Sequence, residues 1–191
     1  MVVDIGCGLD TRFDRLDNGL FNWLGLDLPE VIALRRRYLS DSERCQTLAQ
    51  SAFDLTWIET VARAGKSVIF LAEGVFPYFT QAEVKPVVTT LAECFPGGEL
   101  AFDALSSLSI RLHNHTHPVL KETGARLNWG LDDPLALEAW GLLLLDKWGY
   151  FDRREPRLGA YHLMRYIPGL AYLNYILHYR LSSRARGRMY V

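Results

Sequence analysis

The sequence predicts an α/β fold, a mostly parallel sheet with helices on both faces. Three observations lead there. Short apolar, β-branched runs alternate with segments of helical period through the first hundred residues, and most of the runs stop at a glycine or a carboxylate. The run at 68–72 (VIFLA) is continuously apolar, as a strand covered on both faces requires. Strand and helix alternating in this way imply crossover connections, which are right-handed and keep the strands parallel.

Val2, Val3 and Ile5 form the first strand, which stops at Gly6-Cys7-Gly8. A short helical segment over 11–16 and a turn at Asn18-Gly19 lead to a second strand at 23–26, ending at Asp27. Pro29 suits a first helical position, with Val31, Ile32, Leu34, Tyr38 and Leu39 lining one face. A weaker third strand at 46–49 precedes Asp54, and Thr56 with Glu59 has the spacing of a capping box for a helix that ends near Gly65. The run at 68–72 ends at Glu73-Gly74. Thr80 and Glu83 make a second capping box, opening a helix with Val84, Val87, Val88, Leu91 and Phe95 at helical spacing and a bend expected at Pro86. Pro96-Gly97-Gly98 stops it, and 100–103 is the fifth strand. Beyond residue 105 come a polar, histidine-containing segment, a short helix from Asp132-Asp133-Pro134, and apolar runs at 142–145 and 172–181 that read as closing strands. With no internal repeat and no long linker, 1–191 is expected to be one domain.

Composition narrows the partners. The 191 residues are 49% hydrophobic and carry 21 basic against 22 acidic side chains, so no overall field favours a polyanion. The dense basic runs, Arg35-Arg36-Arg37 and Arg184, Arg186 and Arg188, read as solvated surface. Three cysteines without metal-type spacing argue against a disulfide framework or a zinc site. No basic leader and no membrane-length apolar stretch are present, so a cytoplasmic location is expected, without membrane or nucleic-acid partners.

Open parallel sheets bind ligands beyond the carboxyl ends of their strands, where strand order reverses. Gly6 and Gly8 permit close backbone approach there, and Asp27, 19 positions after Gly8, suits ribose hydroxyls. Thr11 stands where the pyrophosphate fingerprint G-x-G-x-x-G would have its third glycine, which demotes a dinucleotide. S-adenosylmethionine has a ribose and no phosphate. Cys7, inside the turn, reads as a packing residue. His113, His115 and His117 could form a metal site only if all three shared one face; on a helix His115 points elsewhere, so a solvent-exposed or substrate-loop role is expected.

The strings DIGCGLDTR (4–12), LDLPEV (26–31), AEGV (72–75) with Tyr78-Phe79, FPGGEL (95–100) and NWGLDD (128–133) resemble, in family order, the leucine carboxyl methyltransferase and TcmP-like group of class I methyltransferases. That resemblance implies a Rossmann-like sheet of seven strands, the last antiparallel, and S-adenosylmethionine as cofactor. It places Gly6 and Gly8 under the cofactor, Asp27 on the ribose, Asp54 with Leu55 beside the adenine, and Glu73 at the methionine amino group. It also implies O-methylation of a small-molecule hydroxyl or carboxylate, with a polyketide-type acceptor. The alternatives are methylation of a protein's terminal carboxylate, and a non-catalytic fragment that binds cofactor or a partner. The family's helices before the first strand, with their arginine for the methionine carboxylate, have no counterpart before Val2. Arg12 is a candidate substitute or a substrate contact, and Tyr78 a candidate wall of the acceptor pocket; no catalytic base stands out.

Overall fold

The computed structural model describes residues 1–65, 67–150 and 173–183, together with 152, 156, 159, 163 and 166. Tyr172 and the tail arginines Arg184, Arg186 and Arg188 lie outside the described residues.

Seven strands form one sheet: β1 (Val2–Ile5), β2 (Trp23–Asp27), β3 (Cys45–Ala49), β4 (Ile69–Ala72), β5 (Glu99–Leu105), β6 (Leu142–Gly149) and β7 (Asn174–Leu181). Their spatial order is β3-β2-β1-β4-β5-β7-β6, parallel from β3 through β5, with β7 antiparallel to both of its neighbours. The chain grows outward from β1 to β3, then returns to β4 on the other side of β1. With right-handed crossovers that reversal puts the connecting helices on opposite faces.

The helices are α1 (Arg12–Leu16), α2 (Pro29–Arg35), α3 (Thr56–Arg63), α4 (Gln81–Cys94), α5 (Ser107–Thr116) and α6 (Pro118–Thr123), with 3-10 turns at Phe76–Tyr78 and Pro134–Trp140. None of these helices is long and apolar enough to cross a membrane. Val3, Ile5, Leu26, Phe70, Leu100 and Leu177 are buried along the sheet, and Trp57, Val84, Val88 and Leu91 pack on it from α3 and α4. Burying such side chains is the main drive to fold, each contributing about 1.5–3 kcal/mol.

Helix α4 starts with the expected capping box: Thr80 accepts from Glu83 N–H while the Glu83 carboxylate accepts from Thr80 N–H. It then continues through Pro86 to Cys94. The box expected at Thr56 does not form. Leu55 occupies the cap position, and Asp54 Oδ1 accepts from both Thr56 N–H and Thr56 Oγ1, while Glu59 pairs with Arg63. Asp54 thus takes the Thr56 N–H that the Glu59 carboxylate would accept in a capping box. Helix α2 also differs from expectation: it buries Ile32 and Arg35, while Leu34 and Tyr38 are exposed.

Candidate cofactor and active site

Strand register sets the site. Ile5 on β1 lies level with Leu26 on β2 and Ala72 on β4, and Ala72 lies level with Phe102 on β5. The next residue along the chain is therefore Asp27, Gly6, Glu73 or Asp103, which form a row across four adjacent strands at the switch point, the first three at strand ends and Asp103 inside β5. Sequence reasoning found three of these and missed Asp103, which lies inside β5, two residues before its end at Leu105.

The turn after β1 is built for close approach. Gly6 and Gly8 have φ of 72° and 45°, and a Cβ on Gly6 would overlap the Val75 side chain. Gly8 N–H donates to Asp27 Oδ2 at 2.8 Å and Leu28 N–H to Oδ1 at 2.8 Å, which fix the carboxylate while leaving each oxygen a further lone pair. Cys7 is buried, its Sγ lying where a Cβ on Gly25 would fall, and burial pushes its thiol up to about 12. That is a packing residue and a poor nucleophile.

The loop is held from below by Arg35. Arg35 is 5% exposed and its Nη1 donates to the carbonyls of Asp10 at 2.7 Å, Gly8 at 2.9 Å and, at 3.4 Å, Cys7. The reading of the Arg35-Arg36-Arg37 run as solvated surface is thus corrected at Arg35 and holds for Arg36 and Arg37, both exposed. The available signal was position: Arg35 lies three residues after buried Ile32, on the same helical face.

An open cavity of about 410 Å³ lies over this turn, lined by Gly6, Asp27, Phe53, Gly74, Val75, Tyr78 and Phe79 among others. Its size and apolar walls suit a nucleoside-sized ligand. The Phe53 and Phe79 rings stand 4.2 Å apart between centroids. Asp54 and Leu55 are not among the lining residues. Ser51, Ala52 and Phe53 occupy that wall, Asp54 being engaged with Thr56, which holds its carboxyl below the usual range, and Leu55 packing on the core.

Arg12 and Glu73 are not among the lining residues either; Arg12 sits among three carboxylates, Glu73 at 2.5 Å, Asp10 at 2.6 Å and Asp4 at 3.5 Å. Asp4 is 4% exposed and burial raises its carboxyl to about 6, against the opposing pull of Arg12. The Glu73 side chain is 62% exposed and reachable by a ligand.

A smaller groove of about 160 Å³ shares Gly74 and Tyr78 with the large cavity and is otherwise lined by Asp103, His113, His117 and apolar neighbours. Asp103 Oδ1 accepts from Gly74 N–H at 2.8 Å, and burial raises its carboxyl. The 128–133 string builds this region. Asn128 N–H and Nδ2 donate to the carbonyls of Pro77 and Tyr78, and Asp132 accepts from Ser107 N–H and Oγ. His113 and His117 stack at 5.8 Å, and no group of three or more His, Cys, Asp or Glu side chains able to hold a metal ion occurs among the described residues.

The leucine carboxyl methyltransferase family pattern matches residues 1–92. The chain is 30% identical to the tetracenomycin polyketide synthesis O-methyltransferase TcmP of Streptomyces glaucescens over 190 residues, covering 94% of this chain and 69% of that protein. It is also 30% identical to the S-adenosyl-L-methionine-dependent methyltransferase dpfgK of Gibberella zeae, over 72% of this chain and half of that one. The fold superposes on an S-adenosylmethionine-dependent methyltransferase from Mesorhizobium loti with a TM-score of 0.63 at 15% identity, covering 94% of this chain and 90% of that chain. The glycine turn, the oriented Asp27 and the cavity over them are what an adenosyl ligand needs, and the chain belongs to the TcmP-like leucine carboxyl methyltransferase family, whose cofactor is S-adenosylmethionine.

Proposed function

We propose that this chain, as one domain over 1–191, transfers a methyl group from S-adenosylmethionine to an oxygen of a small molecule, with a polyketide-type phenol or acid as the acceptor class. The observation that carries this reading is the adjacency of two spaces: the cavity over Gly6 and Asp27 and the groove lined by Asp103 share Gly74 and Tyr78 as walls. The printed name of the Streptomyces relative supports the acceptor class.

In this reading Gly6 and Gly8 let the backbone approach the cofactor, Asp27 accepts from the ribose hydroxyls, and the 51–55 segment with Phe79 forms the adenine wall, Asp54 and Leu55 standing behind Phe53. Glu73 faces the methionine amino group, and Arg12 turns from it toward the methionine carboxylate, a zwitterion inserting between two partners already charged for it. Tyr78, which lines both spaces, orients the acceptor. The bound cofactor supplies a methyl group made electrophilic by its sulfonium. The protein's part is alignment of the acceptor oxygen and exclusion of water, since displacement at a methyl carbon needs no enzyme nucleophile. A cytoplasmic setting belongs to the same reading, supported by the three free cysteines.

The test is mass spectrometry after incubation with deuteromethyl S-adenosylmethionine and a panel of naphthols, aromatic acids and a leucine-terminated peptide. A deuteromethyl ether on a naphthol, stable in alkali, or an alkali-labile methyl ester on an aromatic acid is the expected product. An ester on the peptide alone would move the acceptor to a protein carboxylate. No label on any acceptor, together with no binding of S-adenosylhomocysteine, would leave only the non-catalytic fragment.

A further inference from the structure

The guanidinium that holds the glycine turn has a second edge. Nη1 of Arg35 carries all three bonds to the turn carbonyls. That leaves Nε–H and one Nη2–H, which point the same way from one side of the planar group. Among the described residues neither nitrogen has a hydrogen-bond or ion-pair partner. Tyr175 Oη alone, among the described side chains, is a polar atom both sealed from solvent and unpaired. The two unpaired Arg35 nitrogens therefore touch accessible space, although the residue is 5% exposed.

Arg35 lines a cavity of about 230 Å³ that has no lining residue in common with the cofactor cavity. Two acids line it as well. Asp41 is occupied, since its carboxylate accepts from Thr47 Oγ1 and from Arg36 Nη2. Asp14, exposed on α1, has no hydrogen bond or ion pair among the described residues. Ser42 Oγ accepts from Cys45 N–H and keeps its own proton to donate. Phe13, Tyr38 and Leu39 supply apolar wall.

We propose that this cavity is a second binding site, for a free α-amino acid with a small apolar side chain. Its carboxylate takes the Nε and Nη2 donors of Arg35, whose parallel N–H groups match two carboxylate oxygens. Its ammonium pairs with Asp14, and its side chain lies against Phe13 and Leu39. A divalent anion is disfavoured by the two acids on the same cavity, and a simple amine by the buried guanidinium. The site is also coupled to the cofactor. A carboxylate on the outer edge of Arg35 fixes the plane in which Nη1 meets the carbonyls of Gly8 and Asp10, so each ligand raises the affinity of the other by one common factor.

Calorimetry on the wild-type chain tests the site with L-valine as probe, beside 3-methylbutanoate, which lacks the ammonium, isobutylamine, which lacks the carboxylate, and inorganic phosphate. One-to-one binding of L-valine is expected, about fivefold tighter than 3-methylbutanoate, with no heat from isobutylamine or phosphate. Nitrogen-15 NMR of arginine-labelled chain, with Arg35 assigned through Arg35→Lys, should show L-valine moving the Arg35 Nε–H resonance. Asp14→Asn should erase the advantage of L-valine over 3-methylbutanoate and leave both the unfolding midpoint and S-adenosylhomocysteine binding without L-valine unchanged. Saturating L-valine should tighten S-adenosylhomocysteine binding about fivefold or more. No binding of L-valine at millimolar concentration, equal binding of phosphate, or an unmoved Arg35 resonance overturns the site. An S-adenosylhomocysteine affinity indifferent to L-valine overturns the coupling, and a weaker one places L-valine at the methionine end of the cofactor site instead. If the chain binds no S-adenosylhomocysteine, the methyl-transfer reading falls, while the L-valine series still decides this one.

Discussion

Replacing Arg35 with methionine keeps most of the side-chain volume and removes every donor from beneath the glycine turn. The two short bonds, to Asp10 O at 2.7 Å and Gly8 O at 2.9 Å, come from an ionised donor; the third, to Cys7 O at 3.4 Å, is too long to add much. Bonds of that kind are worth about 1.5–3 kcal/mol each. The carbonyls of Gly8 and Asp10 belong to part-buried interactions, so water entering after the change offsets some of the loss. A net destabilisation of about 2–4 kcal/mol follows. Because the same carbonyls set the path of the turn, S-adenosylhomocysteine should bind about tenfold more weakly even where the variant is fully folded. Arg35→Lys, with one ammonium in place of the planar fork, should fall between the two. Guanidinium unfolding and calorimetry at a temperature well below the transition separate the two effects. A midpoint equivalent to less than about 0.5 kcal/mol of change, with affinity intact, would refute the claim that Arg35 shapes the turn.

Asp4 makes stability depend on pH. Its folded carboxyl is raised to about 6 from an ordinary 3.8, so between those values the folded state holds the extra proton. The contribution is complete below about pH 4 and is lost as pH rises through about 6, an effect of order 2–3 kcal/mol. Denaturation at pH 4.5 and 7.5 should show that fall, and Asp4→Asn should flatten it. Gly130→Ala would bring a Cβ to 2.6 Å from Ser107 Cα and 2.8 Å from Ser107 N, both backbone atoms that cannot swing aside. A thermal melt should record a loss of about 1–3 kcal/mol. Glu73→Gln should weaken S-adenosylhomocysteine binding roughly tenfold while leaving the unfolding midpoint in place, since that side chain is mostly exposed; calorimetry and a melt on one sample check both.

The sheet was readable because β-branched runs that end in glycine or acid have few other uses, and β1, β2, β4 and β5 fell where those runs predict. The same ends carried Gly6, Asp27 and Glu73 into view. Arg35 stayed hidden, since a charge triplet on a surface helix ordinarily faces water, and only the burial of Ile32 one turn earlier marks its face as the inner one. Asp54 illustrates the converse. The spacing of Thr56 and Glu59 fits a capping box, but the pattern does not say that a carboxylate two residues earlier will take the Thr56 N–H. The bond from Ser109 to Asn174 was opaque for a different reason: its two ends lie 65 residues apart, and no local pattern reports so distant a partner.

The central claim, that Asp27 and the glycine turn form the ribose end of an S-adenosylmethionine site, is tested most directly by calorimetry of S-adenosylhomocysteine on the wild-type chain and on Asp27→Ala. Saturable one-to-one binding by the wild type is expected, with an affinity about 10- to 150-fold weaker in the variant, the loss that follows removal of an ionised acceptor. Equal affinities in the two proteins would contradict it.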